Sequence, residues 1–128
     1  ERPAYNPFAE LTNHIPLLIG FLVVRFIGLA AIVPVIEEFI LRGFIVRILV
    51  APEWWKVSVG HVSRLTILTP AIYGFLTHPE HLAAIVWFSL VTLLLIRTKN
   101  IWDCVVAHAI TNFLLGIYVI TSGDWALW

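Results

Sequence analysis

Two glutamates stand side by side at Glu37 and Glu38, and Arg42 follows four residues after the second, in the run VIEEFILRGFIVR (residues 35–47). Their neighbours are almost all apolar. At about 100° per residue on a helix, Glu38 and Arg42 share one face, whereas Glu37 points elsewhere and shares its face with Leu41. One carboxylate therefore has a counter-ion in its own helix, and the other is placed for work such as taking a proton from water. The plain alternative is that Arg42 neutralises both carboxylates and the three residues merely hold helices together.

Other polar groups recur at chemically useful spacings. His108 and Asn112 lie four apart in the otherwise apolar run IWDCVVAHAITNFLLGIYVI (residues 101–120), so they share one helix face and can donate two hydrogen bonds to one point. Interhelical glue explains the same pair, at about 1 kcal/mol per bond between membrane helices. His78 ends a short hydrophobic segment at a proline turn, and His81 follows three residues later in THPEH; one of the two is expected to face inward. Cys104, one turn before His108, raises a thiol nucleophile, but a lone cysteine in apolar surroundings without an adjoining cation reads as a small core filler. Arg25, in LVVRFIGL, serves equally as a counter-ion toward Glu37 or Glu38 or as a catalytic group. His14 and His61 read as interfacial residues with no assigned role.

The elements that must position these groups follow from composition. The 128 residues are 60% apolar and only 12% charged, with zero net charge, and the mean hydropathy is +0.93. An ordinary globular domain is roughly 45–50% apolar and about 25% charged. The runs 15–33, 82–96 and 101–120 approach or meet the roughly 20 residues that span a bilayer as helix. Two shorter runs, FILRGFIVRILV and LTILTPAIYGFL, read as partial or bundle-buried spans. The six tryptophans, Trp54, Trp55, Trp87, Trp102, Trp125 and Trp128, cluster near the ends of these runs, as they do at the headgroup level. The expected fold is all-α: a multi-pass transmembrane bundle of four to five helices. The chain contains no Met and is read as the N-terminally truncated core fragment of a larger membrane protein.

Residues 1–14 form a polar lead-in, 15–120 the helical bundle and 121–128 an interfacial tail, all within one domain of 1–128. Pro34 must break or kink the chain before the glutamates, leaving residues 15–50 as one bent helix or two. Asn100 is placed to cap the last helix. Arg47, Lys56, Arg64, Arg97 and Lys99 fall in two connections while THPEH and the tail carry no Lys or Arg, which puts those two connections in the cytoplasm if 65–78 crosses fully. Membrane lipids are the expected surroundings. The absence of net positive charge gives no footprint for nucleic acid.

The order EEFILR, then a histidine closing a short hydrophobic segment, then HAITN resembles the CPBP family of intramembrane proteases. That family includes type II CAAX prenyl endopeptidases and Abi-like bacteriocin-processing or immunity proteins. Its pattern of E-E-x-x-x-R, F-x-x-x-H and H-x-x-x-N/D matches Glu37, Glu38, Arg42, His78, His108 and Asn112 across residues 33–120. The chain departs at Gly74, where the family usually carries Phe. The segment VVRFIGLAAIVPVIEEFILRGFIVR and the ending YVITSGDWALW are also similar to the CAAX-protease-related proteins that accompany exosortase systems in bacteria.

The resemblance implies an intramembrane endopeptidase of the bacterial cytoplasmic membrane that cleaves a membrane-associated protein or peptide. Peptide hydrolysis needs an activated water, a site for the carbonyl oxygen as it becomes an oxyanion, and a proton for the leaving amine. In this reading Glu37 is the general base and His78 shares its water. His108 and Asn112 are oxyanion donors, and the Glu38–Arg42 pair orients Glu37. Zn²⁺ or another divalent metal held by Glu37, His78 and His108 is the alternative route to an activated water, although no H-E-x-x-H motif is present. Two other classes fit the same residues: a catalytically silent immunity or binding protein on this fold, and a fragment of an ion or proton transporter.

Overall fold

The computed structural model describes residues 4–127; residues 1–3 of the lead-in and Trp128 of the tail lie outside them. It is all-helical among these residues. A short α1 (Pro7–Glu10) precedes α2 (Ile15–Val50), α3 (Thr66–Thr77), α4 (His81–Thr98) and α5 (Ile101–Ser122). Three of these, α2, α4 and α5, are long and apolar enough to cross a membrane, and α3 is shorter. The described residues cluster into two compact units, one running up to Pro34 and resuming at His108, the other Val35–Ala107.

The question of one helix or two over residues 15–50 is resolved as one, running through Pro34. Its 36 residues would extend about 54 Å at 1.5 Å per residue, well beyond a hydrocarbon core of about 30 Å. Proline inside an α-helix lacks an N–H and clashes with the carbonyl four residues back. Here the preceding turn is widened: Gly28–Ile32 is π-helical, and the Val33 N–H reaches the Gly28 carbonyl five residues back. An inserted wide turn is one of the few identifiable ways a helix absorbs such a residue. In that register the Leu29 carbonyl would be paired with the nitrogen of Pro34, which has no proton to give. Asn112 Nδ2 of α5 donates to the Leu29 carbonyl at 3.0 Å instead. Around this bond Phe26 and Phe113 meet edge-on at 5.6 Å. Gly116 gives them room, since a Cβ there would come within 2.9 Å of the Phe26 ring.

Asn112→Ala leaves the Leu29 carbonyl unsatisfied and is expected to lower stability by about 1 kcal/mol. Pro34→Ala restores a backbone N–H at the position where the carbonyl needs one. In the Pro34→Ala background the cost of Asn112→Ala should therefore shrink, as read by a double-mutant cycle on thermal unfolding in detergent. Equal costs in both backgrounds would disconnect Asn112 from the proline.

In the second unit the hairpin α3–α4 packs tightly about Leu41, Ala84 and Phe88, with Tyr73 and Trp87 against them. A second cluster joins Val91, Leu95 and Cys104. Cys104 is fully buried, with its thiol directed to the Val91 carbonyl at 3.6 Å, in keeping with a packed core residue. Arg47 fastens the connection after α2: its Nε donates to the Val57 carbonyl at 2.9 Å, its Nη1 to the Gly43 carbonyl at 3.1 Å, and its guanidinium lies 5.4 Å from the Trp54 ring. α4 ends where Lys99 adopts the left-handed conformation. Asn100 then caps α5 as expected, its Oδ1 accepting from the Trp102 N–H at 3.1 Å.

Candidate functional site

The α-helical stretch Val33–Glu38 ends at the second glutamate, and Phe39–Ile45 is a second π-helical segment. Wide turns of this kind occur often at functional sites. The Glu38–Arg42 pairing read from the spacing is present: Arg42 Nη1 donates to Glu38 Oε2 at 2.5 Å, and both side chains are fully buried. Arg25 is exposed. Arg42 has a second anchor that no sequence pattern indicated. Its Nη2 donates to the Phe88 carbonyl at 3.0 Å, which also accepts from Thr92 Oγ1 at 2.7 Å, and its guanidinium sits 5.4 Å from the Phe88 ring.

Phe88 is the hub of this unit. His78 packs edge-on against the same ring at 5.2 Å, Tyr73 at 5.5 Å and Trp87 at 4.9 Å. One buried aromatic side chain thus joins the E-E-x-x-x-R helix to the histidine. Glu37 is half-buried.

His78 and His81 differ in what each ring touches. His81 is exposed and its Nδ1 lies 2.9 Å from the Phe75 carbonyl. A carbonyl only accepts, so that nitrogen carries the proton and the side chain caps one of the carbonyls orphaned at the end of α3. Its ring stacks on Phe75 at 4.7 Å. His78 turns instead to Phe88, and its Nδ1 meets Thr77 Oγ1 at 2.8 Å.

The departure at Gly74 has a steric explanation. A Cβ at residue 74 would lie 2.6 Å from Phe88 Cδ2, so the ring from α4 occupies the space that a side chain on α3 would need. Gly74→Ala gains up to about 1 kcal/mol of helix propensity but forces the Phe88 ring aside, and overpacking of that kind typically costs about 1–3 kcal/mol. Net destabilisation is expected, visible as a lower melting midpoint. Phe88→Leu, which clears the space, should relieve it. A Gly74→Ala protein that melts at or above the wild-type midpoint would contradict the contact.

His108 and Asn112 belong to the first unit. His108 is buried, at 4% exposure, and Asn112 is half-buried with one amide N–H engaged by the Leu29 carbonyl. An oxyanion role for Asn112 calls on its second N–H. Among the described residues no three His, Cys, Asp or Glu side chains gather closely enough to hold a metal ion, whereas a catalytic zinc takes three protein ligands. The residues that sequence reasoning missed are Phe88 and Thr77. Phe88 sits unmarked in the apolar run of α4, and only its contacts reveal it. Thr77 had a local signal, a hydroxyl one residue before the histidine and four after Tyr73, where Thr commonly bonds the helix carbonyl.

Apolar helices of membrane-spanning length, with a buried Glu/Arg pair joined through one ring to a histidine, define an integral membrane protein with a polar centre inside its bundle. The model of the Rce1-like type II CAAX prenyl endopeptidase family matches residues 19–114, and the chain belongs to that family. No curated protein and no solved structure gives a significant match.

Proposed function

We propose that this chain is the catalytic core of an intramembrane endopeptidase that hydrolyses a peptide bond in a membrane-associated protein or peptide. The observation that carries the reading is the junction at Phe88, which brings together Arg42, the partner of Glu38, and His78. Two of the three motifs of the resemblance are thereby gathered on one buried ring within one compact unit. Glu37 takes a proton from the attacking water and His78 shares that water. Glu38 and Arg42 hold the helix register that presents Glu37. By the family pattern, His108 and Asn112 supply donors to the oxyanion.

The protein is placed in the cytoplasmic membrane of a bacterium as a multi-pass protein, with the connections carrying Arg47, Lys56, Arg64, Arg97 and Lys99 on the cytoplasmic side. Membrane lipids cover the exposed apolar residues of α2, such as Leu17, Val24 and Ile27. The test has two arms. A farnesylated peptide ending in a CAAX sequence is offered to the purified protein in nanodiscs, and peptide termini in membranes from cells expressing wild-type or Glu37→Gln protein are compared. Cleavage of the probe, or termini that depend on Glu37, supports the reading. Neither appearing would favour a silent protein on the same fold.

A further inference from the structure

We infer that Thr77 is a positioning residue that fixes the tautomer of His78 with its proton on Nδ1, leaving Nε2 as the bare, basic nitrogen; this inference rests on the proposed role of His78. Counting protons leads to this assignment. A threonine hydroxyl has one proton to donate and two lone pairs with which to accept. Thr77 Oγ1 lies 2.8 Å from the Tyr73 carbonyl and 2.8 Å from His78 Nδ1. A carbonyl can only accept, so the single hydroxyl proton goes to Tyr73. Toward His78 the hydroxyl oxygen can then only accept, and Nδ1 must carry the hydrogen. The chain of bonds runs from His78 Nδ1–H to Thr77 Oγ1 and from Thr77 O–H to the Tyr73 carbonyl.

In a neutral imidazole one nitrogen is donor and the other acceptor, and the partner of one sets the chemistry of the other. With Nδ1 committed to Thr77, Nε2 is the nitrogen that can accept from a water. The ring plane is held as well, because His78 packs edge-on against Phe88 at 5.2 Å. His81 has the same tautomer, its Nδ1 proton being on the Phe75 carbonyl, but its ring packs on Phe75, whereas that of His78 packs on Phe88, the ring that also meets Arg42. A base placed next to the wrong tautomer does no work, however well its ring is positioned.

The test uses Thr77→Val, which keeps the shape and removes the hydroxyl, beside Thr77→Ser, which keeps the hydroxyl. With ¹⁵N-histidine incorporated into the full chain in nanodiscs, protonated and bare ring nitrogens resonate far apart, and His78→Asn assigns the signals. Wild type and Thr77→Ser should show neutral His78 protonated at Nδ1. Thr77→Val should move the proton to Nε2 or to a mixture of both. With the farnesylated CAAX peptide as probe, Thr77→Val should lower kcat by about tenfold or more with little change in KM, and Thr77→Ser should recover it. Wild-type His78 protonated at Nε2, or a tautomer unmoved by Thr77→Val, would overturn the inference. A tautomer that shifts while probe hydrolysis stays at the wild-type rate would leave the positioning intact and sink the role of His78 in water activation. The nitrogen signals are read without any substrate, so the tautomer assignment stands or falls independently of the probe.

Discussion

Glu37→Gln is expected to abolish hydrolysis while leaving the protein folded at the wild-type level. The substitution keeps the size of the side chain and most of its hydrogen-bonding capacity but removes the group that accepts a proton. Glu37 is only half-buried, and the cation on its helix, Arg42, is bonded to its neighbour Glu38. Folding should therefore tolerate the change far better than the reaction does. General-base catalysis contributes about 10²–10⁴-fold, so turnover should fall to a few per cent of wild type or lower. The rate is measured on purified protein with a verified substrate, beside the melting midpoint of the same preparation. Retention of more than a few per cent of the rate would remove Glu37 as the base. A large loss of folded yield would make it a structural partner of the pair beside it.

Glu38→Ala should have the opposite profile, with stability lost first. Arg42 is enclosed in the bundle at 1% exposure, and Glu38 is at 0%. Removing the carboxylate strands a buried guanidinium whose Nε already lacks a hydrogen-bond partner, and breaking such a pair typically costs about 3–5 kcal/mol. The Phe88 carbonyl and ring still hold Arg42, but neither compensates its charge as a carboxylate does. Glu38→Gln keeps an acceptor at the same place and should be milder. The measurement is folded yield and melting midpoint in detergent for both variants. If Glu38→Ala accumulates and melts like wild type, the ion pair is not what holds this part of the bundle.

The two variants separate adjacent carboxylates, and helix periodicity alone makes that separation. A step of about 100° per residue puts neighbours on different faces and residues four apart on the same one, which is why the Glu38–Arg42 pair is legible from spacing. The hydrophobic lengths likewise show where helices run, because a bilayer accepts backbone only when its polar groups are satisfied within the segment. Asn100 can be placed as a cap because capping is local, needing only a short polar side chain at the right offset from the helix start.

Contacts between helices obey no such short-range rule. Nothing in the composition of α4 distinguishes Phe88 from the other apolar residues around it, and its role comes from residues of two other helices, Arg42 of α2 and Tyr73 and His78 of α3 and its end, converging on one ring. The Gly74 departure looks like a weakened motif in the linear chain. In three dimensions it is the notch that admits that ring. His78 and His81, three residues apart at one turn, are equivalent by residue type, and their partners separate them: a helix-end carbonyl for His81, Thr77 and Phe88 for His78. Pro34 predicts a disturbance, but not that a π-turn absorbs it, nor that Asn112 from α5 satisfies the carbonyl it orphans. The membrane class, the helices and the chemistry carried on each are written in the linear chain, since those depend on residue type and on spacing along one helix. Which histidine joins the buried pair, and what Asn112 binds, is settled by the packing of the helices, because hydrogen bonds and ring contacts between segments depend on distances that chain separation does not encode.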